Sequence, residues 1–171
     1  GRDIISLSLG EPDFVTPENI RESAKKAIDE GFTFYTPIAG FADLRKAISD
    51  KFENENNLDY APDQIVVSTG AKQSIANIIL SLVNPGEEVI VPAPYWVSYT
   101  QMIKLAEGVP VYIDSNVESD YKITPEQLRK AITPKTRMFI FSSPCNPSGT
   151  VYTRSELEGL ARVMAEYKEL Y

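Results

Sequence analysis

The sequence predicts an α/β protein with three layers, in which helices cover both faces of a mostly parallel sheet. Short apolar segments with strand character alternate along the chain with amphipathic segments of helical period. Clusters of proline, glycine and asparagine separate these segments. With 171 residues, the chain has the length of one ordinary domain, which is enough to bury a core.

Three helices are predicted in the first half of the chain. The elements predicted in this half are a short strand at residues 4–9, a helix at 16–30, an aromatic loop at 32–40, a helix at 41–54, a strand at 64–69 and a helix that begins at Gly70. Thr16 is the predicted N-cap of the first helix, with Pro17 in its first turn. The second helix has an apolar stripe, formed by Leu44, Ala47, Ile48 and Phe52.

Strand and helix continue to alternate in the second half. Its predicted elements are strands at residues 88–91, 109–113 and 137–141, and helices at 96–106, 124–132 and 153–167. Capping boxes at Thr124–Gln127 and Thr153–Glu156 begin the last two helices. Because a parallel sheet expects covered faces and paired strand edges, a further strand is due after Glu169, and the chain is predicted to be part of a longer protein.

Composition excludes several classes of function. A net charge of -7 leaves no basic face for nucleic acid, and no apolar run approaches a membrane span. The absence of histidine excludes Ser-His-Asp and Cys-His catalysis within the chain and removes the commonest zinc ligand, so no metal site is predicted. The single cysteine, Cys145, is read as a small buried spacer. Without a disulfide or a signal peptide, the expected location is the cytoplasm.

The loop at residues 142–150, Ser-Ser-Pro-Cys-Asn-Pro-Ser-Gly-Thr, is a candidate ligand-binding site. It follows a predicted buried strand, and α/β folds bind small ligands at the carboxyl ends of such strands. The amide of Asn146 can offer a donor and an acceptor, and the Asn146–Pro147 bond is a candidate for the cis form. The alternative is a connecting turn in which both residues only shape the backbone.

Two further loops have the chemistry of ligand sites. A helix N-terminus at Gly70 with Lys72 in its first turn suits a phosphate, although the glycine can also serve only a tight turn. Neither of the standard nucleotide motifs, G-x-G-x-x-G or G-x-x-x-x-G-K-[ST], is present. Prolines fix the loop that carries Trp96, the only tryptophan, whose indole can stack on an aromatic ligand or pack in the core.

Five motifs, taken together and in order, make the chain resemble the class I and II aminotransferases, which are pyridoxal-phosphate enzymes of fold type I. The matching stretches are Ser8–Phe14, Tyr35–Gly40 with Leu44–Arg45, Thr69–Gln73, Pro94–Tyr99 and Ser143–Gly149. The resemblance covers essentially the whole chain and is nearest to the bacterial aspartate aminotransferase subgroup. It implies that residues 1–14 lead from a small domain, and that residues 15–171 form part of the large domain, incomplete at its C-terminus.

The resemblance also implies roles for individual residues. Gly70, Ala71 and Lys72 would hold the phosphate of pyridoxal 5'-phosphate. Trp96 would stack on the pyridine ring of the cofactor, and Asn146 would hydrogen-bond its phenolic oxygen. These last two residues would also line the substrate site.

Two further implied roles concern the substrate and a partner subunit. Gly10 would lie against the substrate carboxylate, and Tyr35 would reach the phosphate in a second subunit, so a homodimer with shared active sites is expected. No catalytic residue is expected in this chain, because the imine-forming lysine of the family lies downstream of Tyr171. The chain alone is therefore expected to be inactive. Cys145 departs from the asparagine or histidine that the family often has there.

The expected function is transfer of an amino group from an L-amino acid to a 2-oxo acid such as 2-oxoglutarate, with aspartate favoured as the donor. A carbon–sulfur lyase that uses the same cofactor loops is one alternative. A non-catalytic regulatory or binding module is another. The Lys72 turn and the Trp96 loop favour transamination, and the lack of a basic winged-helix segment counts against the module.

Overall fold

A computed structural model describes Ile4 and residues 10–171 of the chain. The chain divides into two compact units, Gly1–Val67 and Ser68–Tyr171, which are described separately. The predicted strand at residues 4–9 falls almost entirely outside the described residues. The predicted domain division at residue 14 stays a prediction.

Nine helices and strands, all within the described residues, make up the regular structure. The helices are α1 Glu18–Asp29, α2 Ala42–Asn56, α3 Ala71–Leu82, α4 Ser98–Leu105, α5 Pro125–Ala131 and α6 Arg154–Met164, and the strands are β1 Glu88–Ala93, β2 Val109–Asp114 and β3 Thr136–Phe139. Short 3-10 turns occur at Pro62–Gln64 and Val117–Ser119. The predicted alternation of strand and helix is therefore confirmed from α3 onward.

The first unit contains α1 and α2, and neither helix has a buried residue. The prediction that Thr16 caps α1 is wrong. The first carbonyl to accept helical hydrogen bonds is that of Pro17, from the N–H groups of Ile20 and Arg21, so Pro17 itself is the N-cap. Phe52 of α2 meets Tyr60 edge to face, with ring centroids 6.2 Å apart.

The predicted strand at residues 64–69 is also wrong. Gln64 ends a 3-10 turn, and the residues after it form no strand with any part of the chain that the structure describes. Ile65 has extended dihedral angles, and the Val67 N–H donates to the Ala39 carbonyl at 3.0 Å. A segment with a strand-like sequence forms a strand only when a neighbouring backbone pairs with it through a ladder of hydrogen bonds. Here the backbone pairing in the described residues is the single hydrogen bond between Val67 and Ala39.

The second unit contains a parallel sheet in the order β2-β1-β3. β1 pairs with β2 along its whole length, from Glu88 opposite Val109 to Ala93 opposite Asp114. On the other side of β3, the Tyr171 N–H donates to the Arg137 carbonyl at 3.0 Å, and the Phe139 N–H donates to the Tyr171 carbonyl at 2.8 Å. This is the hydrogen-bond pattern of a parallel neighbour, at the position where the sequence predicts a further strand.

Both faces of the sheet are covered, which confirms the three-layer α/β/α fold. Side chains along β1 point alternately to the two faces of the sheet. Val89 and Val91 therefore lie in one core cluster and Ile90 in the other, and all three are fully buried. The first cluster also contains Ile79 of α3 and Ile103 of α4. Residues of α5 and α6, among them Leu128 and Leu160, belong to the second cluster.

Capping boxes begin α5 and α6, as predicted. In α5, the Gln127 N–H donates to Thr124 Oγ1 at 3.2 Å, and Gln127 Oε1 accepts from the Thr124 N–H at 2.8 Å. Thr153 and Glu156 make the same reciprocal pair in α6, at 3.3 and 2.6 Å. Each box satisfies two backbone donors that the helix would otherwise leave unpaired.

Candidate functional site

Two loops leave the same edge of the sheet in the second unit. β1 ends at Ala93 and runs into the loop of Trp96, while β3 ends at Phe139 and runs into the loop of residues 140–150. Because β1 and β3 are parallel neighbours, their carboxyl ends emerge side by side. The sheet therefore brings together two of the loops that the sequence marked as candidate sites.

The N-terminus of α3 is the third part of the site. Gly70 has φ 81° and ψ 163°, a region open in practice only to glycine, and no heavy atom lies within 4 Å of a Cβ built there. The first helical donors to its carbonyl are the Gln73 and Ser74 N–H groups, at 3.2 and 3.3 Å. The N–H groups of Ala71 and Lys72 precede them and have no intrahelical acceptor, which makes this end suitable for an anion.

Lys72 and Trp96 are brought into contact by the fold. The Lys72 Nζ lies 5.0 Å from the centroid of the indole ring, a cation–π contact. Tyr99 meets the same indole edge to face, with centroids 5.4 Å apart. Trp96 is half-buried and packs against the first core cluster, so it serves partly as core and still presents a surface.

The loop of Asn146 is held by its own side chains. The Ser142 Oγ accepts from the Asn146 N–H at 3.3 Å, and the Ser143 Oγ accepts from the Tyr152 N–H at 3.0 Å. The Asn146–Pro147 bond is cis, as predicted, and the bonds before Pro94 and Pro144 are cis as well. The Asn146 amide is exposed and makes no hydrogen bond to any residue in the described part of the chain, so it is not used to shape the turn.

Cys145 has a different position from the predicted buried spacer. It is only half-buried, and its Sγ lies 3.5 Å from the carbonyl oxygen of Pro94, in the other loop. The two residues are 51 positions apart in the chain. Sequence reasoning missed this contact because no local pattern links them; only the pairing of β1 with β3 does.

The remaining two predicted site residues, Gly10 and Tyr35, belong to the first unit. Gly10 is exposed, with nothing within 4 Å of a Cβ built on it. Tyr35 is fully exposed, and its neighbours Phe34 and Ile38 are 87% and 102% exposed. The proposed roles of Gly10 and Tyr35 stay predictions.

Two tyrosines near the site have raised pKa values. Burial raises the pKa of Tyr152, although its hydroxyl oxygen accepts a hydrogen bond from the Ile123 N–H at 2.9 Å. A hydrogen bond with Tyr112 raises the pKa of Tyr95, whose ring stacks on that of Tyr112 at 5.4 Å. Both phenols are therefore neutral near pH 7.

No helix in the described residues is long and apolar enough to cross a membrane. Among those same residues, no group of three or more His, Cys, Asp or Glu side chains is placed to hold a metal ion.

Comparison with known proteins identifies related chains. The model of the family "Aminotransferase class I and II" matches residues 2–171. An aspartate/prephenate aminotransferase of Cereibacter sphaeroides is 52% identical over 171 residues, which are 100% of this chain and 43% of the relative. The chain thus spans less than half the length of the curated relatives it matches.

Solved structures agree with the sequence comparison. The aspartate aminotransferase of Rhizobium meliloti superimposes with a TM-score of 0.93 at 43% identity, over 96% of this chain and 41% of that one. An aromatic aminotransferase of Pyrococcus horikoshii gives a TM-score of 0.91 at 40% identity, over 98% and 45%. The fold is that of the fold type I enzymes. At identities of 40% and 43%, the sequences are similar as well as the folds.

Proposed function

The chain belongs to the class I and II aminotransferases, and from this membership we propose that it forms the cofactor-binding part of an aminotransferase. Enzymes of this family use pyridoxal 5'-phosphate as their cofactor. The observation that carries the proposal is the meeting of the α3 N-terminus, Lys72 and Trp96 at the sheet edge from which the Asn146 loop also emerges. The alternatives, a lyase and a regulatory module, gain no specific support from the described residues.

The site residues fit this cofactor. Gly70 leaves the backbone N–H groups of Ala71 and Lys72 open to a phosphate, and the Lys72 ammonium adds a positive charge beside them. The flat indole of Trp96 suits the pyridine ring. The Asn146 side-chain amide, which has no hydrogen-bond partner among the described residues, suits the phenolic oxygen because it can donate a hydrogen bond to it.

The residues of this chain bind and orient rather than carry protons. When bound, the cofactor supplies an electron sink, which allows an amino acid to lose its α-proton and to give its amino group to a 2-oxo acid. Trp96 would hold the ring from one face, and Asn146 would favour the charged form of the phenolic oxygen. We assign the proton-carrying lysine to a part of the protein outside residues 1–171.

The proposed substrates are L-aspartate and a 2-oxo acid such as 2-oxoglutarate. Support comes from relatives named aspartate/prephenate and aspartate aminotransferase, which are 52% and 50% identical to this chain. Gly10 is proposed to lie against the substrate carboxylate, where a side chain would obstruct close approach. We further propose that the protein is a cytoplasmic homodimer in which Tyr35 of each subunit reaches the phosphate bound by the other subunit.

Absorbance spectroscopy of the full-length protein with pyridoxal 5'-phosphate tests this function. Borohydride reduction followed by peptide mass analysis should locate covalent attachment at a lysine outside residues 1–171. Addition of L-aspartate should change the spectrum, and a 2-oxo acid should restore it. Absence of specific attachment would contradict the proposal and favour a binding module, whereas elimination of sulfur from a cysteine derivative without amino transfer would favour the lyase.

A further inference from the structure

We propose that Cys145 is a positioning residue whose thiol ties the loop of Asn146 to the loop of Trp96. The Cys145 S–H donates to the carbonyl oxygen of Pro94, with Sγ and O 3.5 Å apart. Asn146 directly follows the donor, and Trp96 lies two residues after the acceptor. The inference rests on the proposed function, because that function makes the separation of Asn146 and Trp96 important.

The backbone on the cysteine side of this link is held in place. The Cys145 N–H donates to the Thr150 carbonyl at 2.9 Å, and the Cys145 carbonyl accepts from the Gly149 N–H at 2.7 Å. These two hydrogen bonds close the loop around Cys145. The side chain of Cys145 therefore acts from a constrained backbone, and its contact with Pro94 limits where the whole loop can lie.

The acceptor side is anchored as well. Pro94 directly follows β1, whose last residue, Ala93, accepts hydrogen bonds from the Ser115 hydroxyl and from the Ser115 N–H, the latter at 3.2 Å. Trp96 is restrained by an edge-to-face contact with Tyr99, a member of the first core cluster, and the centroids of the two rings are 5.4 Å apart. A bond from Cys145 to the Pro94 carbonyl thus connects one anchored loop to another.

Such a link has a consequence for the cofactor. Asn146 and Trp96 are proposed to contact one ring, Asn146 at its phenolic oxygen and Trp96 at its face. Contacts to one rigid ring cooperate only when the two loops keep the separation that the ring requires, and displacements of about 1 Å are costly in such sites. The hydrogen bond from Cys145 to the Pro94 carbonyl supplies that constraint, because it joins the two loops close to Asn146 and Trp96.

The contact with the Pro94 carbonyl requires a donor at position 145. The thiol of cysteine is a weak donor, and here its sulfur lies within hydrogen-bond distance of that carbonyl oxygen. Size alone, as in a simple spacer, would be met equally well by valine or alanine.

Substitutions of Cys145 in the full-length protein test this inference. Cys145→Ala removes the donor, whereas Cys145→Ser and Cys145→Asn retain one. Val151→Ala, at the exposed residue directly after the loop, is a matched control. We expect Cys145→Ala to raise the cofactor dissociation constant about three- to tenfold, the range for one lost hydrogen bond. The two donor variants should stay within about twofold of the wild type, as should the control.

Two further measurements distinguish positioning from a general loss of structure. The thermal midpoint of the cofactor-free protein should be similar in all variants, and the pH at which the absorbance of bound cofactor changes should shift in Cys145→Ala alone, because Asn146 contacts the phenolic oxygen. If Cys145→Ala does not fold, comparison of Cys145→Val with Cys145→Ser replaces it. Equal cofactor affinity in variants with and without a donor would overturn the inference. A wild-type protein that binds no cofactor would instead overturn the proposed function and this inference with it.

Discussion

At the residue scale, the structure shows that the two explanations the sequence left open for Gly70, a tight turn and an anion site, do not exclude each other. Its φ of 81° and ψ of 163° demand glycine for conformational reasons, while the empty space around it shows that crowding is not the cause. The turn and the anion site are therefore compatible, since the same conformation starts α3 and leaves its first N–H groups open. Trp96 packs on the core and remains half-exposed, so a core role is observed and a stacking role stays compatible with it.

Gly70→Ala is expected to weaken both stability and cofactor binding. A Cβ in this backbone region costs about 1–3 kcal/mol, so the turn must change shape or the fold must lose that stability. The measurement is urea unfolding of the full-length protein, together with cofactor titration. Unchanged stability and affinity would show that the turn accepts a side chain.

Trp96→Ala is expected to weaken cofactor retention about tenfold and to slow turnover. The change removes the stacking face and the aromatic partner of Lys72, and aromatic contacts contribute about 0.5–1.5 kcal/mol beyond the area they bury. Cofactor titration and steady-state kinetics measure the effect. Trp96→Phe keeps a smaller face and should be intermediate; cofactor content and kinetics like the wild type in both variants would rule out the stacking role.

At the element scale, the helices α5 and α6 show how local chemistry determines where an element begins. Both start at a threonine that exchanges hydrogen bonds with the residue three positions later. These interactions depend only on residues close in sequence, so they were predictable. By contrast, residues 64–69 have strand character but no ladder partner in the described chain, and they remain outside any strand.

Thr124→Ala is expected to destabilise the protein by about 1 kcal/mol, because it leaves the Gln127 N–H without its capping acceptor. Thr124→Ser retains the hydroxyl and serves as the control. Urea unfolding, followed by circular dichroism, gives the difference in the free energy of unfolding. A loss of the same size in both variants would indicate that the hydroxyl does not cap α5.

The lowered pKa of Glu156 makes the stability of the protein depend on pH. Hydrogen bonds from the backbone N–H and the hydroxyl of Thr153 lower the pKa of its carboxyl group below the ordinary 4.5. Because the folded pKa is below the unfolded one, the unfolded state binds more protons in this window. The stabilisation is thus fully present above pH 4.5 and is lost as the pH falls through the folded pKa.

Glu156→Gln should therefore flatten the pH dependence of the unfolding midpoint below pH 4.5. Glutamine keeps an acceptor for the Thr153 N–H but does not titrate. Unfolding midpoints measured across this range in both proteins provide the comparison. Parallel pH curves for the wild type and Glu156→Gln would contradict the assignment.

At the scale of the whole molecule, buried and exposed apolar residues are distributed unevenly. The second unit has two core clusters, one on each face of its sheet. In the first unit the helices bury no residue, and the loop around Tyr35 exposes large apolar side chains. Exposed apolar surface of this kind is typical of a surface that a further segment or a second subunit covers, and the homodimer stays a proposal.

Tyr35→Phe tests whether subunits share sites. If the hydroxyl reaches the phosphate bound by a partner subunit, as proposed, its loss should weaken cofactor retention about two- to tenfold in the dimer. Cofactor titration combined with sedimentation velocity measures affinity and oligomeric state together. Tyr60→Phe, another exposed tyrosine of the first unit, should have no effect. A fully active monomer at high dilution would exclude the shared site.

The sequence by itself determined the order of elements from α3 onward, the capping boxes, the glycine turn and the candidate ligand residues. These features depend on period, turn chemistry and motifs, which are local in the chain. Only the tertiary structure decided that residues 64–69 form no strand, that Lys72 lies over Trp96, and that Cys145 meets Pro94. Each of these features depends on which residues far apart in the chain become neighbours in the fold. Cys145 and Pro94 are 51 positions apart, and the pairing of β1 with β3 brings them together.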